Sequence, residues 1–118
     1  MSKKKIYIAS PYTEGDGAKN VRLQMDAGNA LMDMGHAPFI PLLTHFQHMV
    51  HPRGYQDWID FDLVWVKACD AVVRIRPVDR DGFEILSNGA AIEEAFAREN
   101  NIPVYTVQTV EEIKNLKF

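Results

Sequence analysis

The stretch at residues 87–107, SNGAAIEEAFARENNIPVYTV, predicts a helix that leads directly into a strand. Ser87 or Asn88 is a suitable N-cap for the helix. Ile92 and Phe96 lie four residues apart, as on the apolar side of a helix. The run PVYTV that follows is short, apolar and rich in β-formers, which is typical of a buried strand.

The same alternation extends over the rest of the chain. Short apolar runs predict further strands at residues 6–9, within 36–43 and at 71–75. Helical spacing of apolar residues predicts further helices at 21–35, at 56–70 and after 108. Strands that alternate with helices form parallel sheets through right-handed crossovers. We therefore expect one α/β domain over residues 1–118, Rossmann-like, with the flavodoxin-like strand order 2-1-3-4 and helices on both faces.

The apolar spacing also predicts which helix faces are buried. Met25 and Met32 fall on the predicted buried stripe of the first long helix, and Gly35 is placed to end that helix. In the second long helix, Phe61 and Trp65 widen the predicted buried face. The polar and aromatic stretch between these helices, residues 44–55, is expected to be a loop with one helical turn.

Composition excludes several classes of protein. The chain has 118 residues and a formal charge of −3, so it carries no basic footprint for a nucleic-acid partner. No apolar stretch approaches the length of a membrane span, and no secretory segment follows the N-terminal lysines, so we expect a cytoplasmic protein without a membrane partner. The single cysteine, Cys69, is expected to be a small buried residue rather than a nucleophile.

The predicted topology places a ligand pocket. Parallel sheets of this kind bind ligands at the carboxyl ends of the strands, where the strand order reverses. Here that point lies between the first and third strands, and the loops that leave them are residues 10–20 and 76–88. The second loop is long for a compact domain, and such loops are usually functional.

Two adjacent glutamates on the helix have different expected roles. Glu94 precedes Arg98 by four residues, the favourable order for an exposed ion pair, so we expect Glu94 at the surface. Glu93 has no basic residue one turn away and lies over the same end of the sheet as the two loops. A carboxylate near a pocket without a local cation is a candidate nucleophile or general base, although a lone helix glutamate is more often solvated.

A second carboxylate is expected near the same pocket. Asp62 lies four residues after Trp58 and four before Val66, close to the buried stripe of its helix. A buried acid without a partner is costly. Asp62 therefore either forms a carboxylate pair with Glu93, in which one group is ionised and the other protonated, or it has a structural role as a cap or as a partner of Arg74 or Arg76.

The helix start at Ser87, Asn88 and Gly89 is a candidate anion site. Free N–H groups and the helix dipole attract phosphate, and small residues allow close approach. An ordinary capped helix explains the same residues equally well. Arg22 could neutralise phosphate charge or lie at the surface of its helix.

Four segments, in this order, resemble the nucleoside 2-deoxyribosyltransferase superfamily: IYIASPYT, DFDLVWVKACDAVV, SNGAAIEEAFA and NIPVY. The resemblance spans nearly the whole chain. It implies that Glu93, four residues after Gly89, attacks the anomeric carbon of a nucleoside. It further implies that Asp62 assists protonation of the leaving base, that Tyr7 positions the nucleophile, and that no metal or cofactor is needed.

One position distinguishes branches of that superfamily. The nucleoside transferases carry an aspartate six residues before the nucleophile, where this chain has Ser87. A serine there resembles the branch that hydrolyses nucleoside 5′-monophosphates. A carboxylate would repel phosphate, whereas a hydroxyl at a helix start donates to it. We therefore expect Ser87, Asn88 and Gly89 to bind substrate, with Ser10 and Tyr12 as further hydroxyl donors.

The resemblance thus implies hydrolysis of the N-glycosidic bond of a (deoxy)nucleoside 5′-monophosphate through a glutamyl-glycosyl intermediate. Base exchange between nucleosides is the alternative, and a non-catalytic nucleotide-binding module is a further one. Members of the resembled superfamily are homodimers or larger, in which neighbouring subunits close the site. We therefore expect a homodimer or a higher homo-oligomer.

Three histidines, His45, His48 and His51, are spaced three residues apart. On a helix two of them could reach one ion, but no carboxylate or cysteine completes the spacing and Pro52 interrupts the segment. We therefore expect no zinc site here. Contact with a nucleobase or with a neighbouring subunit is the preferred interpretation.

Overall fold

A four-stranded parallel sheet in the order β2-β1-β3-β4 forms the centre of the chain. The structure, a computed structural model, describes residues 3–118. The strands are β1 Lys5–Ala9, β2 Ala37–Phe39, β3 Ala71–Ile75 and β4 Val104–Val107. Each of the three strand pairs is parallel, which confirms the predicted α/β class and strand order.

Within residues 3–118, five α-helices and a short 3-10 helix connect and cover the strands. They are α1 Gly17–Asp33, the 3-10 helix Pro41–Leu43, α2 Thr44–Val50, α3 Tyr55–Ala68, α4 Asn88–Glu99 and α5 Val110–Ile113. In the described part of the chain, none of these helices has both the length and the apolar character needed to cross a membrane.

The side chains of β1 alternate between two hydrophobic clusters. Ile6 and Ile8 belong to the first cluster, on the face covered by α1 and α5. Tyr7 and Ala9 belong to the second, on the face covered by α3 and α4. Successive strand residues point to opposite faces of a sheet, so one central strand anchors both layers. This alternation aims Tyr7 towards α4.

The first long helix begins earlier than the sequence predicts, and its buried face differs in part from the predicted one. Asp16 caps α1 by accepting from the backbone N–H groups of Ala18 and Lys19. Met25 and Met32, predicted to be buried, are 49% and 63% exposed. Ala27, Gly28 and Leu31 are buried on this helix, but the buried face also includes two polar residues that hydrogen-bond to the backbone of other segments, Asn20 and Gln24. Apolar spacing alone therefore placed the buried face only in part.

Two further predictions are corrected between β2 and β3. Residues 44–50 form the two-turn helix α2 rather than a loop with one turn. Phe61 and Trp65 of α3, predicted to widen the core, are 40% and 41% exposed. The buried side chains of α3 are Ile59 and Val66, because the helix packs on the sheet along that narrower stripe.

Glycine is favoured at one position within α1 and at one just after it. A Cβ on Gly28 would lie 2.4 Å from Ile40 Cδ1, so a larger residue there would force the Ile40 side chain to shift. Gly35 has a φ of +89° and follows the end of α1, as predicted. A left-handed backbone conformation after a helix favours glycine.

Candidate active site

A cavity of about 610 Å³ lies at the carboxyl end of β1. Its walls come from the loop after β1, from α1, the 3-10 helix and α2, and from α3 and the start of α4. All but one of the predicted catalytic and substrate-binding residues line this cavity. The exception is Tyr7, which lies behind Glu93. The lining residues are Ser10, Tyr12, Asp62, Ser87, Asn88, Gly89 and Glu93. The structure therefore brings together residues that are widely separated in sequence.

Glu93 is a buried carboxyl on the sheet-facing side of α4. Ala90 and Ala97, three residues before and four after it, share that buried face. Glu93 itself is 5% exposed, and its Oε2 accepts a hydrogen bond from the Tyr7 hydroxyl. The Glu93 carboxyl therefore lies at the cavity wall and is fixed by a hydrogen bond to Tyr7 of the central strand β1.

Asp62 provides the second carboxyl of the cavity. It is half-buried on α3, and its Oδ1 is buried without a hydrogen-bond partner among residues 3–118. Neither of the two arginines that could have neutralised Asp62 does so. Arg74 pairs with Glu94, and Arg76 pairs with Glu84.

The two carboxyls influence each other's protonation. Burial raises the pKa of Glu93; the Tyr7 hydrogen bond lowers it, and the adjacent Asp62 carboxyl raises it. Burial is also the main cause that raises the pKa of Asp62. Two nearby buried carboxyls cannot both ionise easily, so the pair retains a proton to a higher pH than ordinary carboxyls do. One ionised and one protonated group is the state that acid-assisted nucleophilic chemistry requires.

Tyr7 is held as a hydrogen-bond donor. Burial, followed by the charge of Glu93, raises the pKa of the Tyr7 phenol, so it stays protonated. The ring stacks on Phe39 with centroids 5.6 Å apart, which fixes its direction. Its hydroxyl therefore orients the Glu93 carboxyl and stabilises the ionised form.

The start of α4 lies beside the two carboxyls. Ser87 is the N-cap, and its Oγ accepts from the Ala90 N–H at 3.1 Å. A hydroxyl that accepts one hydrogen bond can still donate its own proton. Asn88 and Gly89 line the cavity beside Ser87. The first N–H groups of a helix have no partner within the helix, and such groups attract anions.

The two residues predicted from the loop after β1 differ in their availability to a ligand. Ser10 is 6% exposed, and its Oγ is buried with no hydrogen-bond partner in the described part of the chain. The Tyr12 hydroxyl, in contrast, is bonded to Nδ1 of His45. The two buried side-chain atoms that lack partners within residues 3–118, Ser10 Oγ and Asp62 Oδ1, therefore both belong to the cavity lining. Buried polar atoms are normally bonded, so this pair indicates a place for ligand atoms.

The histidine stretch contributes to the cavity through protein contacts. His48 Nδ1 accepts from Trp58 Nε1 at 2.8 Å and from the Arg53 N–H at 3.2 Å. Within residues 3–118 no group of three or more His, Cys, Asp or Glu side chains is arranged to hold a metal ion. His45 and His48 line the cavity, whereas His51 does not.

Sequence reasoning missed two cavity residues and left the place of one cation open. Arg53 and Gln24 line the cavity. Arg53 lies in an irregular stretch with no periodic signal, and Gln24 interrupts an otherwise apolar helix face. Arg22, considered for phosphate, is exposed and faces Asp26 at 3.7 Å.

Glu94 is not the exposed residue that was predicted. Its pairing with Arg98 is present at 3.0 Å, as the spacing indicates. However, Glu94 also accepts from the Nε of Arg74 at 3.2 Å, and the Arg74 side chain is 3% exposed. Arg74 Nη1 in turn donates to the carbonyl of Ile75. Glu94 is therefore a structural partner of a buried cation.

The fold is similar to that of a solved enzyme structure. The enzyme is described as a 2-deoxyribosyltransferase from the psychrotolerant bacterium Bacillus psychrosaccharolyticus, suitable for the industrial synthesis of nucleosides. The two chains are 21% identical and superpose with a TM-score of 0.66, covering 97% of this chain and 93% of the other. At this identity the similarity establishes the shared fold.

The family assignment comes from the sequence itself. No curated protein matches the chain. The sequence profile of DUF7768, a domain of unknown function, matches residues 4–107, which include the whole sheet and every cavity residue named above. The chain therefore belongs to the DUF7768 family.

Proposed function

We propose that this protein hydrolyses the N-glycosidic bond of a (deoxy)nucleoside 5′-monophosphate and releases the free base and (deoxy)ribose 5-phosphate. The observation that carries the proposal is that two carboxyls line one cavity. Glu93 is buried and bonded to Tyr7, and Oδ1 of Asp62 has no partner among residues 3–118. A pair of carboxyls beside a cavity is the arrangement used for glycosidic bond cleavage. The shared fold with a 2-deoxyribosyltransferase supports the same class of chemistry.

The first step forms a covalent intermediate. The ionised Glu93 oxygen attacks C1′ of the sugar, and the C1′–N bond breaks with its electron pair leaving on the base. Asp62, in its acid form, transfers a proton to the departing base. The reactive state has the shared proton of the pair on Asp62. The Tyr7 hydrogen bond favours this state, because it orients the Glu93 carboxyl and lowers its pKa.

The second step releases the sugar. Water attacks C1′ of the glycosyl-Glu93 ester, and the C1′–O bond to Glu93 breaks. Asp62, now a carboxylate, accepts the proton of that water. The products are (deoxy)ribose 5-phosphate and an enzyme with Glu93 ionised and Asp62 protonated, so the cycle is complete.

The phosphate is assigned to the first turn of α4. The N-cap hydroxyl of Ser87 has its proton free to donate, and no carboxylate occupies that position. The backbone N–H groups and dipole of a helix start favour an anion. Arg53 at the cavity wall supplies a positive charge. These features favour a monophosphate over an uncharged nucleoside.

Base exchange between nucleosides is the second candidate. It is favoured by the activity in the name of the structural neighbour. The same glycosyl-Glu93 intermediate would then be attacked by a second base instead of water. The two reactions therefore share their first step and differ in the acceptor.

We also propose that the protein self-associates through the exposed side of α3. This side carries partly exposed large apolar residues on one helix, Phe61, Val64 and Trp65. Exposed apolar clusters of this kind mark interaction surfaces. Sedimentation velocity of the wild type and of a Val64→Glu, Trp65→Glu variant tests this, and a monomeric wild type would contradict it.

Activity assays on a substrate panel test the proposed reaction. Ribo- and deoxynucleosides and their 5′-monophosphates are incubated with the protein, with and without a free acceptor base, and base release is followed. Release from monophosphates without an acceptor supports the hydrolase. Product that forms only with an acceptor supports the transferase, and binding without turnover would contradict both.

A further inference from the structure

We propose that Gln24 is the residue that selects the base, by donating its amide N–H to a carbonyl oxygen of an oxo-substituted base. This inference rests on the proposed function, since it assigns the base end of the same cavity. It is based on the buried Gln24 amide at the cavity wall. Its oxygen already accepts a hydrogen bond from the protein, whereas its nitrogen donates none within the described residues.

The orientation of the Gln24 amide is fixed by its surroundings. Gln24 is 1% exposed on α1, and its Oε1 accepts from the backbone N–H of Leu42 at 3.2 Å. A backbone N–H can bond only to the amide oxygen, so the two ends of the amide are distinguished by chemistry. Since Leu42 lies in the 3-10 helix, this bond also satisfies a donor at a helix start.

The other end of the amide is free to act on a ligand. The bond to Leu42 is the one hydrogen bond that the Gln24 side chain makes within residues 3–118. Gln24 lines the cavity, and its Nε2 carries two donors and no acceptor. A ligand group placed against Nε2 must therefore accept a hydrogen bond.

The base is the part of the nucleotide that reaches this wall. The phosphate is assigned to the start of α4 and C1′ to Glu93. Gln24 and Leu42 line the cavity from α1 and the 3-10 helix, whereas Ser87 and Glu93 line it from the start of α4 and from α4 itself. Of the three parts of a nucleotide, only the base is left to contact them. A rigid amide donor favours a base with a carbonyl at the contacted edge over the same base with an amino group there.

Two matched substrate pairs test the assignment. Deoxyinosine and deoxyadenosine 5′-monophosphates, and the deoxyuridine and deoxycytidine pair, differ by an oxo or an amino group at one ring position. We expect the wild type to favour the oxo member of at least one pair by roughly tenfold in kcat/KM, the value of about one hydrogen bond.

Two substitutions separate base selection from structural support. Gln24→Glu keeps an oxygen for Leu42 and, when ionised at alkaline pH, replaces the donor with an acceptor, so it should reverse the preference. Gln24→Met removes the donor at similar length, so it should bring the two rates within about twofold of each other. Gln47→Glu makes the same change at an exposed position of α2 and should leave the preference unchanged. A merely structural Gln24 would lower all rates together.

Binding measurements keep this inference distinct from the proposed reaction. The same nucleotides are titrated calorimetrically against each variant. If the wild type binds them without turnover, the proposed reaction is wrong and the ratio of Kd values decides the role of Gln24. An oxo-to-amino ratio near one in the wild type, or the same ratio in both Gln24 variants, would overturn the inference while leaving hydrolysis intact. A wild type that neither binds nor converts any nucleotide overturns both.

Discussion

The Tyr7 hydroxyl donates a hydrogen bond to Glu93 Oε2 across 86 residues of sequence. The bond joins the central strand β1 to α4 and is buried between them. Glu93 is consequently a carboxyl with a fixed direction rather than a solvated helix residue. Several measurable consequences follow from this contact and from the groups around it.

Glu93→Gln should reduce turnover by roughly 10³-fold or more, because the amide cannot form the glycosyl ester. Steady-state base release with the preferred monophosphate measures this. Glu99→Gln, an exposed change on the same helix, is the matched control and should retain wild-type rates. Similar rates for the two variants would remove Glu93 from the mechanism.

Glu93→Gln should also change the pH dependence of stability. The folded pKa of Glu93 is raised, mainly by burial. Its contribution to stability is therefore fully present below the unfolded pKa, about 4.3, and is lost as the pH rises through the folded pKa, at about 1.4 kcal/mol for each unit of difference. The uncharged variant avoids this loss, so it should be more stable than the wild type at about pH 8.5 and similar to it at about pH 4.

Urea unfolding of both proteins across this pH range provides the measurement. The difference in the free energy of unfolding between Glu93→Gln and the wild type should grow as the pH rises. Parallel stability curves would show that the Glu93 pKa is not raised in the folded protein.

Tyr7→Phe should move the pH–rate profile. The hydroxyl stabilises the charged carboxylate, so its removal raises the pKa of Glu93 further. Because attack requires ionised Glu93, the acidic limb of kcat against pH should shift to higher pH, with little change in KM. The Phe ring preserves the stacking on Phe39. If kcat falls but the acidic limb of the pH profile stays at the same pH, Tyr7 contributes to packing alone.

Ser87→Asp should exchange substrate preference without removing the helix cap. Aspartate is as good an N-cap as serine, but its charge repels phosphate. We expect KM for the monophosphate to rise by roughly tenfold or more, the value of about one charge-assisted hydrogen bond, and KM for the nucleoside to change little. An equal effect on both substrates would place the phosphate elsewhere.

Glu94→Ala should destabilise the fold, because it leaves the buried Arg74 without its carboxylate. We expect a loss of about 1–3 kcal/mol in the free energy of unfolding. Arg98→Ala removes the exposed partner of the same carboxylate and should cost less than about 0.5 kcal/mol. Equal losses in denaturant unfolding would show that the Arg74 contact is not the important one.

Local sequence patterns predicted the positions of the strands and helices more accurately than they predicted which helix faces are buried. The strand at Ala71–Ile75 and the helix after Ser87 lie where the sequence indicates, because turn residues and apolar runs mark them directly. The buried face of α1 was predicted only in part, since it also holds Asn20 and Gln24, whose partners lie in other segments. No periodicity of hydrophobic residues reveals a buried amide that is satisfied elsewhere.

The sequence by itself determined the alternation of strands and helices, the strand order, and the presence of Glu93, Asp62 and Ser87 at one end of the sheet. Only the tertiary structure decided that Glu93 is buried against the sheet and that Glu94 pairs with the buried Arg74. The physical reason is that spacing along a chain reports neighbours within a turn or a strand. The protonation and direction of a buried carboxyl depend instead on groups that are brought together only when the sheet and its helices pack.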